Sequence, residues 1–215
     1  MSKKRLAFRD AIFYVCYLLL VWSFYRVYFS LPLGIEELLV KPIAWLLPVF
    51  YLVKKTKEKP ASLGITTKNL FPSVYFALAL GAVFAIEAIA INFVKYGGIN
   101  FSANLGQEAV LFSLGVSLVT AVSEEVAFRG FVFNRVWQFL KNERFANLLT
   151  SLLWGVVHLP VAMLVLGLGG SALTTYLLLV VLFGIGSAFV FARTGNIISP
   201  ILLHVLWQWP IILFR

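Results

Sequence analysis

Apolar residues fall into long runs along this chain, separated by short polar breaks. The pattern predicts seven helical spans at 8–29, 38–53, 72–94, 109–133, 145–166, 172–192 and 196–214. Each holds about 16–25 residues, a length that crosses a hydrocarbon layer about 30 Å thick. The predicted architecture is all-α, a polytopic transmembrane bundle of about seven spans (six to eight) forming a single integral membrane domain over residues 1–215. The second span contains Lys41, Pro42 and Pro48, so a kinked or partly re-entrant helix is the alternative there. The only long polar connection runs from Lys54 to Asn69, and its five lysines are expected to lie along an anionic inner leaflet. Gly184, Gly186 and Ser187 are small residues where helices are expected to approach closely.

Composition excludes a soluble domain. The 215 residues are 61% hydrophobic and 13% charged, against about 45–50% apolar and 25% charged in ordinary globular chains. The net charge of +9 would raise the question of nucleic acid in a soluble protein, but here the charges mark topology, and the expected partner is the bilayer. An inside N-terminus puts Lys3, Lys4, Arg5, Arg9, the five lysines of the polar connection, Arg135, Lys141, Arg144 and Arg193 within. Only Arg26, Lys41, Lys95 and Arg215 then lie outside, so the positive-inside rule predicts a cytoplasmic N-terminus and an external C-terminus. No small-residue cleavage site follows the first apolar run, so it is expected to be a retained helix. The single Cys16 excludes an internal disulfide and a cysteine-based zinc module, and its apolar surroundings predict a buried, inert thiol.

Ionisable residues inside spans carry the chemistry. Each costs about 2.5–3.5 kcal/mol at the centre of an inserted helix, and five fall in three late spans: Glu124, Glu125 and Arg129 in the fourth, His158 in the fifth and His204 in the seventh. Counted at 1.5 Å per residue from the inner ends of their spans, Glu124, His158 and His204 lie at depths of roughly 16, 21 and 12 Å. A carboxylate and two imidazoles thus reach a similar level. Glu125 and Arg129, four residues apart, share a helix face and are expected to pair. Glu124 stands about 140° away from Arg129 and points elsewhere, which makes it the candidate for chemistry and the other two its support. A carboxylate beside an imidazole suits a general base acting on water. His204 and Gln208 share a face from which two donors reach a carbonyl oxygen gaining negative charge. Trp154, one turn before His158, is expected to line the cavity; Trp45, Trp207 and Trp209 are expected to pack or anchor at the interface. Glu87 and Asn92, outside any motif, are read as structural pairing or the wall of a water-lined cavity.

The motifs Glu124-Glu125…Arg129, Trp154…His158 and His204…Gln208 resemble the CPBP family of intramembrane proteases, the CAAX-processing and bacteriocin-processing (Abi) group, whose pattern is E-E-x-x-x-R, aromatic-x-x-x-H and H-x-x-x-N or D. Chance predicts about 0.01 copies of the first motif in a chain of this composition. The resemblance covers 109–214, read as the catalytic core helices. Trp154 stands where Phe is usual, and Gln208 where Asn or Asp is.

The resemblance implies that Glu124 and His158 activate a water for attack on a peptide bond while His204 and Gln208 hold the oxyanion. The site is expected in a cavity open to the cytoplasmic side. No cofactor is expected; the alternative is zinc held by His158, His204 and Glu124, since His₂Glu sets bind that metal, although no H-E-x-x-H is present. Expected substrates are a prenylated CAAX-type tail, a leader peptide or another membrane protein. The competing functions are a proton-coupled transporter using the same acid and histidines as a relay, and a non-catalytic scaffold or immunity protein.

Overall fold

A computed structural model describes residues 3–29, 31–98 and 110–214. Position 109, at the start of the fourth predicted span, and Arg215 lie outside the described residues, as do the side chains of Lys3, Lys95 and Trp209. Seven helical rods account for nearly all of the described chain, with no strand among them: α1 (3–28), α2 (33–55), α3 (Leu70–Tyr96), α4 (110–140), α5 (Glu143–Val165), α6 (Gly170–Thr194) and α7 (Ile198–Phe214). Five are long and apolar enough to cross a membrane; α7 contributes a shorter apolar stretch, Ile198–Gln208, and α2 the charge-bearing remainder. The chain is an integral membrane protein with a helical bundle of about seven spans.

The rods stop where their local chemistry changes. Asn69 before α3, Gly97 after it, Lys141 after α4 and Gly195 after α6 all take left-handed φ, which turns the chain out of the helix. Asn142 caps α5 by accepting the Phe145 amide at 3.0 Å. α2 continues through Pro42 and Pro48 as one helix, with a wide π-turn at Glu36–Val40. α4 runs two turns past its predicted end, because Arg135 is paired at 2.7 Å with Glu58 and lies over the Phe131 ring at 3.9 Å, which makes burial tolerable.

Aromatic side chains fill the centre. Trp154 meets Phe128 edge-on at 4.6 Å and Trp45 at 6.1 Å, while Tyr14 of α1 donates to the Trp45 carbonyl at 2.8 Å. α7 packs against α3, α4 and α6, and α5 lies along α6. Apolar side chains such as Ile86 and Val94 face outward, as a lipid-facing surface requires. Cys16 also faces outward; the expected buried thiol is not found, because its position falls on the outer face of α1.

The lysine-bearing connection is docked rather than freely solvated. Asn196 donates to the Thr66 and Lys68 carbonyls at 2.9 and 2.7 Å, Asn69 to Thr194 at 2.8 Å and Asn134 to Ser62 at 2.7 Å. These bonds tie the turn at Pro60–Leu63 to α4 and to the α6–α7 corner. Close approaches depend on missing side chains: a Cβ on Gly130 would lie 2.7 Å from the Leu63 carbonyl oxygen, and one on Gly184 would lie 3.0 Å from the Ser151 Cβ. Gly130→Ala is therefore expected to lose about 1–3 kcal/mol, whereas Gly115→Ala, with no described atom within 4 Å, should be neutral or slightly stabilising. Thermal unfolding in detergent checks the contrast, and equal midpoints for the two variants would refute the packing assignment.

Candidate active site

The site is built on two adjacent carboxylates that point in different directions. Glu125 has no exposed surface and is met by donors from three helices. Arg129 Nε lies 3.2 Å from Oε2 on the same helix, Ser187 Oγ of α6 donates to Oε2 at 2.5 Å, and His204 Nδ1 of α7 lies 2.7 Å from Oε1. Arg129 is held in turn by the Trp154 ring of α5 at 4.5 Å, the Phe183 ring at 5.6 Å and the Gly184 carbonyl at 3.3 Å. Its Nη1 has no hydrogen-bond partner among the described residues; the two aromatic faces substitute for one. The expected Glu125–Arg129 pair is present, and Glu125 is also the direct partner of His204, which helical spacing within α4 does not reveal.

Glu124, one residue earlier, turns toward α2. Its Oε1 lies 2.5 Å from Lys41 Nζ, and the same ammonium lies 2.8 Å from Glu37 Oε2. Thr120 of α4 donates to Glu37 at 2.8 Å, and Arg26 of α1 pairs with Glu36 and lies 3.6 Å from Glu37. Lys41, counted in the sequence as an outer charge, is buried and belongs to this cluster. Glu36, Glu37 and Arg26 were also missed. The signal that could have found them is the one that singled out Glu124: ionisable residues within or beside an apolar span.

A cavity of about 230 Å³ joins these groups. Glu124, His158, His204, Gln208 and Trp154 all line it, with Lys41, Glu37, Thr120 and Trp207. Glu125 and Arg129 stand behind the wall. Trp207 also stacks on Phe183 at 4.4 Å, so it packs and lines at once. Glu87 and Asn92 of α3 are not among the lining residues. The His158 ring meets the Trp154 carbonyl through Nδ1 at 2.9 Å; a carbonyl only accepts, so Nδ1 carries the hydrogen and Nε2 of the neutral ring keeps a lone pair. Gln208 accepts from Ser117 at 3.2 Å through Oε1, which leaves its amide hydrogens for another acceptor.

The lining also reaches Arg26, Leu166 and Tyr176, at the end of the bundle opposite the Lys54–Asn69 connection. The cavity thus extends away from the basic end of the bundle, the end that the positive-inside rule assigns to the cytoplasm. For Glu124 alone the depth count falls short: α4 extends to Leu140, which places this residue about 24 Å from that end of its helix. The zinc set is not assembled: among the described residues no three His, Cys, Asp or Glu side chains are placed to hold a metal ion. The Lys41 ammonium at 2.5 Å from Glu124 also opposes a second cation there.

Fold and site define a polytopic membrane protein with an acid, two imidazoles and an amide facing one internal cavity. Residues 106–210 match the family model described as Type II CAAX prenyl endopeptidase Rce1-like. The match covers just under half of the chain and holds all three motifs, and what it supports is an intramembrane protease of the CPBP type. No curated protein matches the chain.

Removing one partner of the buried ion pair should be costly. Arg129→Met is expected to lose about 3–5 kcal/mol by stranding Glu125. The double variant Glu125→Gln, Arg129→Met should lose less than the sum of its singles. A thermal-unfolding cycle measures the coupling, and additivity within about 0.5 kcal/mol would show the pair to be independent.

Proposed function

We propose that this protease hydrolyses a peptide bond in a membrane-anchored substrate by glutamate-activated water, without a metal ion. The observation that carries this reading is that Glu124, His158, His204 and Gln208, from three helices, line one cavity. Water entering it gives one proton to Glu124, its other hydrogen being held by the His158 Nε2 lone pair, and the hydroxide oxygen bonds to the scissile carbonyl carbon. The carbonyl oxygen becomes the oxyanion and is met by His204 Nε2–H and the Gln208 amide. Glu124 then passes its proton to the amide nitrogen as the C–N bond breaks.

His204 suits the oxyanion role because its Nδ1–H is tied to the Glu125 carboxylate. That carboxylate fixes the ring and leaves its other nitrogen for the oxyanion. The substrate proposed is a peptide tethered to the bilayer by a prenyl or other lipid chain, or by a helix of its own. The family description, which names prenyl endopeptidases, favours the lipidated class. The distribution of basic residues favours an inside N-terminus, and the cavity then faces the outer half of the membrane.

Glu124→Gln, His158→Ala and His204→Ala are each expected to abolish cleavage of tethered peptides while leaving the protein folded, and chelator treatment to leave the wild-type rate unchanged. Full cleavage by any of the three, or a chelated rate restored by zinc, would sink the mechanism. Gln208→Asn should retain turnover and Gln208→Leu should lose about 10²–10³ in kcat, the usual loss for one oxyanion donor. Orientation is checked on intact cells in a Cys16→Ser background: an impermeant maleimide should label Gly169→Cys and spare Lys59→Cys, and the reverse would invert the topology.

A further inference from the structure

The groups on α1 and α2 lie outside the family-matched stretch, and the hydrolytic mechanism above uses none of them. Lys41 stands out among them. It is a buried ammonium whose Nζ lies 2.5 Å from Glu124 and 2.8 Å from Glu37, with the Trp22 and Trp45 rings at 6.0 and 5.9 Å. Two acids for one lysine is more than charge neutralisation needs. Glu37 is itself fixed, by Thr120 and by the neighbouring Arg26.

We propose that Lys41 is a positioning residue of the hydrolytic site, holding one oxygen of Glu124 so that the other faces the cavity. This rests on the proposed role of Glu124 as the base. The second acid explains how the clamp survives turnover: when Glu124 takes the proton from water its negative charge is lost, and Lys41 keeps Glu37 as its counter-ion. A buried ammonium with Glu124 as sole partner would be stranded at that step. With Glu37 present, Lys41 stays in place and receives the carboxylate again when the proton leaves. The aromatic walls of Trp22 and Trp45 restrict where the ammonium settles.

A purely structural staple between α2 and α4 would respond to side-chain volume and would not separate kcat from KM. The test therefore restores the charge chemically. In a Cys16→Ser background, K41C is expected to lower kcat about 10- to 100-fold, the loss expected for a misplaced reacting group, with KM unchanged within about twofold. Alkylation with 2-bromoethylamine, which rebuilds an ammonium at nearly the lysine length, should recover most of kcat; alkylation with iodoacetamide should recover none. E37Q, the second variant should K41C fail to fold, is expected to lower kcat at constant KM.

Wild-type kcat in K41C or in E37Q, equal recovery by the two reagents, or a loss confined to KM would each overturn the proposal. Loss of cleavage in E124Q with retention in K41C overturns the role of Lys41 and leaves the glutamate mechanism standing. Retention in both overturns the two together.

Discussion

The structure depends on a carboxylate that water never reaches. An isolated buried anion is worth several kcal/mol of destabilisation, so Glu125 is viable only where Arg129, Ser187 and His204 all donate to it. Those groups come from α4, α6 and α7, and Arg129 reaches α5 through the Trp154 ring. Satisfying one charge therefore fixes the mutual placement of four helices. The small side chains at Gly184 and Ser187 let α6 approach closely enough for this, and a bulkier residue at Gly184 would meet Ser151 first.

The doubled glutamate reaches two surroundings by rotation. Adjacent residues on a helix diverge by about 100°, so Glu125 faces the α6–α7 side while Glu124 faces α2 and the cavity. Each acid has its own cation, Arg129 for the first and Lys41 for the second. Arg129 is behind the wall with a guanidinium spread over aromatic faces, the environment that a permanently charged planar group fits. Lys41 lines the cavity with a compact ammonium at the end of a flexible stem. The pair behind the wall and the pair on the cavity thus differ in the cation as well as in direction.

Much of this was legible in the sequence. Apart from the end of α4, the seven rods match the apolar runs to within about five residues because lipid-facing and buried helices are both apolar, so segment length alone marks a span. The three motifs identified Glu124, His158, His204 and Gln208, which share one cavity. Contacts between rods were not legible: periodicity within α4 pairs Glu125 with Arg129 but says nothing of His204, seventy-nine residues away. Lys41 was misread because a lysine near a span end has an ordinary explanation in topology, and only the opposed acid of α4 removes it. The end of α4 was misplaced for a similar reason, since Arg135 looked like a boundary charge while Glu58 and Phe131 bury it.

The two histidines differ in the partner of the same ring atom. His158 Nδ1 meets a backbone carbonyl and His204 Nδ1 meets a carboxylate. A neutral acceptor fixes the tautomer of a ring without supporting a charge on it, whereas an anionic acceptor does both. Under the proposed mechanism the first ring keeps a lone pair for water and the second offers a hydrogen to an anion, so two chemically identical side chains take opposite polarity toward the substrate. Glu125 is then more than a fold-stabilising acid. The carboxylate that binds the helices together also holds the His204 ring, so a change at Glu125 would loosen the bundle and release the ring together.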